Sequence, residues 1–137
     1  MKIHSQLSTF NLLERIIGLS PEGMIVNAFQ RAYPPWLLVE LLAQAGSYHI
    51  RSQNDCRQQS FLLKIRRATI LMTACSKRRI VISAERIGSS NCSYYYRIQA
   101  EMDQKLVIDA ELVFGTMNSS SQAQEYYQKV LTCLIKE

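Results

Sequence analysis

Along residues 10–30 the chain reads FNLLERIIGL, then SPEG, then MIVNAFQ. Bulky apolar residues on either side of a proline–glycine turn signal predict a hairpin joined at Ser20–Gly23. Leu13, Ile16 and Ile17 also fit helical spacing, so a helix over 10–18 competes with the first strand. Pro34-Pro35 then breaks the chain, and proline suits a helix's first turn, where its missing N–H would have no partner anyway. From Trp36 onward the only breaker is Gly46, and apolar residues at 36–39, 41–43, 45 and 48 cover nearly every face. That predicts a buried helix over about 35–51. SQNDCRQQS (52–60) is polar and reads as a loop.

Alternating or β-branched runs follow at 61–70, 78–87, 92–102 and 105–115, with GSSN (88–91) and MDQK (102–105) as turns between the later ones. Consecutive strands with short connections predict an antiparallel meander. Within it, YYY (94–96) reads as strand packing with alternate rings on opposite faces. After serine caps near 119–121, Tyr127, Val130, Leu131 and Leu134 are spaced as one face of an amphipathic helix over about 120–136. A long antiparallel sheet wrapped around one central apolar helix accommodates every segment. This is an α+β chain, expected as a single domain over 1–137 with its core in about 10–115.

A length of 137 residues and a hydrophobic fraction of 47% suit one compact domain. No apolar run can span a bilayer, since the longest is broken by Glu40, Gln44 and His49, and MKIHSQLSTF lacks a hydrophobic signal segment. The expectation is a cytoplasmic protein without membrane insertion. Cys56, Cys75, Cys92 and Cys133 are far apart and form no C-x-x-C pair, which predicts free thiols and no metal site. The net charge of +5 concentrates in KIRR (64–67) and KRR (77–79). Such clusters meet an acidic partner or guard a strand edge. No aromatic-interleaved basic motif points to nucleic acid.

Glu40 is the one charge in the apolar helix, and an ionisable group there is costly unless paired or used. It is either an acid facing a substrate tunnel or a buried carboxylate hydrogen-bonded to backbone or to Gln44 at i+4. His49 lies about 13 Å further along the helix axis, too far to share a reacting carbon with Glu40 in one protomer. It reads as a satisfied or exposed histidine, and His4 sits in the N-terminal segment. Phe29, Tyr33 and Trp36 either line a channel or fill core, with core filling the better reading.

Three stretches in order resemble the 3-hydroxyacyl-[acyl-carrier-protein] dehydratases of the FabZ/FabA kind. FNLLERIIGL is similar to that family's first strand, LLVELLAQAG (37–46) to its central-helix signature of a carboxylate followed by A-Q-A, and AEMDQKLVIDAELVF (100–114) to its closing strands. The resemblance covers about Phe10 to Phe114 and implies the hot-dog fold. It implies Glu40 as the catalytic acid with Gln44 in support, and Tyr33, Trp36 and Leu37 beside the substrate. It also implies a carrier-protein patch of Lys64, Arg66, Arg67, Lys77, Arg78 and Arg79. No cofactor is implied beyond the phosphopantetheine of an acyl-carrier protein or coenzyme A that bears the substrate. The implied partners are that carrier and a second hot-dog chain, as a homodimer or heterodimer.

Two family features are missing. The H-F-P-G loop that carries the catalytic histidine has no counterpart in NAFQRAYPPWLLVE, and Pro35 stands where the family's glycine donates its N–H to the thioester oxygen. Tyr33 cannot replace an imidazole base, since tyrosine ordinarily titrates near ~10. The resemblance therefore implies a dehydratase homologue with lost or altered activity. The alternatives are a non-catalytic subunit pairing with an active dehydratase, or a thioesterase in which Glu40 activates water.

Overall fold

The computed structural model describes residues 11–72 and 79–135. Strands β1 (Leu13–Leu19) and β2 (Gly23–Ala28) form the expected hairpin, followed by helix α1 (Pro35–Gln53). Then come β3 (Gln58–Ile70), β4 (Ile80–Ser89), β5 (Ser93–Met102), β6 (Lys105–Asn118) and helix α2 (Ser121–Ile135). The competing helix over 10–18 does not form. All six strands join one antiparallel sheet in the order β1-β2-β4-β5-β6-β3.

α1 touches every strand of this sheet, and α2 packs against β1 and α1. A sheet curled around one helix in this way is the hot-dog fold. Alternation drives it. Ile80, Ile82 and Ala84 of β4 and Tyr96, Ile98 and Ala100 of β5 are buried on the helix side. Burial of that face against α1 supplies the driving force at about 25 cal/mol per Å² of apolar surface.

Three expectations need correction. The meander holds only for β4-β5-β6, because β3 crosses to the far edge and pairs with β6 alone. The segment 52–60 is not all loop: α1 runs to Gln53, Asp55 and Cys56 turn the chain with left-handed φ, and β3 begins at Gln58. α1 is not buried all round, since Trp36 and Glu40 are exposed. Among the described residues no helix is long and apolar enough to cross a membrane.

Gly46 sets the distance between α1 and the sheet. A Cβ there would lie 2.5 Å from Phe114 Cζ and 3.0 Å from Ile98 Cδ1, both core atoms. The A-Q-A-G run thus brings the helix backbone down onto β5 and β6. Its opposite face is left free to carry polar groups.

Candidate functional site

The N-terminus of α1 opens on Pro34, whose carbonyl accepts from Leu37 N–H (2.9 Å) and Leu38 N–H (3.0 Å). Pro35 has no N–H to give. The Trp36 N–H, next along, has no hydrogen-bond partner among the described residues. One turn on, at i+4, stands the exposed carboxylate of Glu40. Gln44 Nε2 donates to Glu40 Oε2 (3.2 Å), while Gln44 Oε1 accepts from the Leu12 N–H (2.8 Å). The amide therefore ties the carboxylate to the chain entering β1. Of the two readings for Glu40, the hydrogen bond to Gln44 is present and the burial is not.

Glu40, Gln44, Ser47, Tyr48 and Arg51 line one side of a cavity of about 260 Å³. Phe61 and Leu62 of β3 and Tyr127 of α2 line the other. Ser60 Oγ donates to Ser47 Oγ (3.1 Å) in its wall. Arg51 Nη2 donates to Gln59 Oε1 (3.2 Å) and to the Ser60 carbonyl (3.4 Å). Its guanidinium carbon lies 3.9 Å from the centre of the Tyr127 ring and 5.0 Å from that of Tyr48. Burial pushes the Tyr48 hydroxyl pKa up and holds that of Arg51 below its ordinary value.

His49 points the other way, into the core. A carbonyl can only accept, so Nε2–H donates to the Ser20 carbonyl (2.9 Å). The Nδ1 lone pair then accepts from the Tyr96 hydroxyl. Burial pulls the His49 pKa below its ordinary 6.5, partly offset by the Ser20 bond. Both nitrogens are committed in the neutral ring, so His49 is the satisfied histidine the sequence suggested. His4 lies outside the described residues.

The substrate-side residues separate. Tyr33 is fully buried, its hydroxyl donates to the Phe29 carbonyl (2.7 Å), and burial pushes its pKa up to about 12. Leu37 is likewise a core residue. Neither borders the cavity, and core filling describes Tyr33 but not its companions. Trp36 is 69% exposed and Phe29 is exposed as well.

The basic clusters separate too. Arg67 is bound to Asp109 (3.4 Å) and Glu111 (3.5 Å), and Arg97 joins Asp109 from β5 (3.3 Å). Burial pushes Asp109 upward, but the hydrogen bonds from Arg97 and Arg67 outweigh it and hold the carboxyl below its ordinary range. Lys64, Arg66 and Arg79 are exposed, while Lys77 and Arg78 lie outside the described residues. Lys64 is level with Gly88 through Val113 and Tyr95, whereas Arg79 adjoins Ile80 at the other end of β4. Lys64 and Arg79 are thus about 30 Å apart along the strands, at 3.3 Å per residue, and three strands apart across them.

Sequence reasoning missed Arg51. The signal was its spacing, seven and eleven residues after Gln44 and Glu40, which puts all three on one helix face. No group of three His, Cys, Asp or Glu that could hold a metal occurs among the described residues. Cys56 is buried, and Cys92 and Cys133 are exposed free thiols.

No protein-family model matches the sequence, and no curated protein matches it. Solved structures do. The thioesterase enzyme SAV0944 of Staphylococcus aureus is 14% identical, with a TM-score of 0.68 over 82% of this chain and 98% of that one. The dehydratase heterocomplex ApeI:P of Xenorhabdus doucetiae is 15% identical, with a TM-score of 0.68 over 85% and 89%. A hypothetical thioesterase of Streptococcus pneumoniae solved with coenzyme A is 11% identical, with a TM-score of 0.67 over 78% and 90%. At these identities the likeness is one of fold, and the fold it bears out is the hot-dog.

Proposed function

We propose that this chain binds acyl thioesters at the solvent-facing side of α1 and hydrolyses them. The observation that carries this reading is the Gln44-held Glu40 carboxylate in the wall of the cavity, with the free Trp36 N–H one helical turn before it. A thioester carbonyl accepting from the Trp36 N–H is stabilised as charge develops on its oxygen. Glu40 takes the proton of the attacking water, and the tetrahedral intermediate collapses with expulsion of the thiolate. The substrate brings its own phosphopantetheine, on coenzyme A or an acyl-carrier protein. The thioesterases among the fold neighbours support this choice.

Dehydration of a 3-hydroxyacyl thioester asks for more. It needs a base for the C2 proton as well as an acid for the departing hydroxyl. Glu40 is one group, and His49 is turned away and fully bonded. A dehydratase role therefore requires a second chain to contribute the base. β3 is the edge on which such a chain would sit. It is 13 residues long, pairs on one side only, and exposes Phe61, Leu63 and Ile65. Phe61 and Leu62 also line the cavity, so a copy or a hot-dog homologue docked there would complete its outer wall. Lys64 and Arg66 on the same strand are the basic residues we assign to an acidic carrier.

The test is turnover of acyl and 3-hydroxyacyl thioesters, followed by free-thiol release and by enoyl formation. Thiol release that falls roughly 10²- to 10⁴-fold in Glu40→Gln is the expected result. Enoyl formation without thiol release would assign the chain to the dehydratases. Neither product, with carrier binding weakened by Lys64→Glu and Arg66→Glu, would leave a non-catalytic subunit.

A further inference from the structure

Arg51 is 7% exposed, and its buried Nε has no hydrogen-bond partner among the described residues. No carboxylate is paired with it there either; its neighbours are the Tyr127 and Tyr48 rings, Gln59 and the Ser60 carbonyl. A guanidinium stays charged in a protein, and a buried charge without a counter-ion is strongly unfavourable. The two ring faces and the C-terminal end of α1 offset part of that cost. None of them supplies an oxygen to the Nε–H. The Nε itself is closed to solvent, so a counter-ion reaches the guanidinium only from the side of the cavity that Arg51 lines.

We infer that the Arg51 end of this cavity binds the carboxylate of a small organic monoanion. The charge count selects a monoanion: among the described residues Arg51 is the one cation in the lining, and Glu40 at the other end, about 16 Å along the helix axis, opposes a second negative charge. Phosphate as a dianion would be left under-neutralised. The walls select an organic body, since Tyr48, Tyr127, Phe61 and Leu62 surround it, and the Ser47 and Ser60 hydroxyls lie near for the second carboxylate oxygen. A volume of about 260 Å³ corresponds to eight or nine heavy atoms at roughly 30 Å³ each. Hexanoate has that size. Hexanoate binding at Arg51 is measured without thioester turnover, so its failure and the failure of the hydrolase reading are distinguishable.

The intact protein is titrated calorimetrically with hexanoate, acetate and inorganic phosphate at ionic strength fixed by chloride. Hexanoate binds saturably, acetate binds more weakly, and phosphate does no more than chloride. Arg51→Gln weakens hexanoate binding about tenfold or more while its far-ultraviolet circular dichroism stays native. Arg51→Lys recovers part of the affinity by restoring the charge. Absence of saturable hexanoate binding, wild-type affinity in Arg51→Gln, or phosphate binding more tightly than hexanoate would each overturn the assignment. Should Arg51→Gln fail to fold, the wild-type protein still decides through the arginine Nε–H resonances in a nitrogen–proton correlation spectrum. One shielded, slowly exchanging resonance moves on adding hexanoate; if none moves, the site does not exist.

Discussion

The two faces of α1 solve opposite problems with residues that alternate along one helix. The sheet-facing side presents Leu38, Leu41, Leu42, Ala45, Gly46 and His49, and its single polar group is matched on both nitrogens. The cavity-facing side presents Glu40, Gln44, Ser47, Tyr48 and Arg51, and there polar capacity is left over: an exposed carboxylate and an Nε–H without an acceptor. Only Ile50 separates His49 from Arg51, yet one is structural and the other lines the cavity. Chemistry follows unspent hydrogen-bonding capacity, not the mere presence of an ionisable residue.

That contrast can be broken most forcefully from the sheet side. Phe114 is fully buried, lies against Gly46 and meets Tyr96 edge to face at 5.6 Å. Phe114→Ala should lower stability by about 3–5 kcal/mol, measured by urea unfolding. Gly46→Ala should cost about 1–3 kcal/mol even after the gain in helix propensity, because its Cβ collides with that ring. A neutral result for Gly46→Ala would mean that α1 does not lie as close to β6 as described.

Tyr96→Phe sharpens the comparison, leaving the buried His49 Nδ1 without its donor at a cost of about 1–3 kcal/mol. The wild-type protein carries a pH signature of the same pair. Because burial depresses the folded pKa of His49, the unfolded chain takes up the proton first as pH falls. The His49 contribution is therefore complete above the ordinary value of about 6.5 and is lost as pH falls from there toward the lower folded value. Denaturant midpoints across that window should show the loss, and His49→Gln should flatten it. The smallest effect lies at the β5–β6 turn, where Asp103 and Gln104 both have left-handed φ (54° and 65°). Gln104→Gly should raise stability by roughly 0.5–1 kcal/mol, by relieving the Cβ at a position glycine favours.

Most of the fold was legible because its segments are strongly patterned. The period-two runs of β4, β5 and β6, the helix opening on Pro34-Pro35 and the Ser20–Gly23 turn are all local signals, and they stand where the pattern put them. The crossover of β3 was not legible. Alternation says that Phe61–Ile70 is a strand but not which neighbour it joins, and β3 joins β6 at the far edge of the sheet from the β1–β2 hairpin that precedes it. Glu40 stood out as a lone charge, whereas Arg51 was hidden in HIRSQ, a stretch that reads as a polar helix end. The aromatic residues were ambiguous for the opposite reason: Tyr33 and Trp36 are alike in sequence context, and only the start of α1 turns one into the core and the other into solvent.

The most direct test compares Glu40→Gln with His49→Gln in one thioester-hydrolysis assay, each confirmed folded by circular dichroism. Glu40→Gln should leave stability within about 0.5 kcal/mol of the parent, as for an ordinary surface change, and remove turnover. His49→Gln should lower stability and leave turnover per folded molecule intact. Turnover that survives Glu40→Gln and vanishes in folded His49→Gln would place the chemistry on the wrong face of the helix and contradict the account.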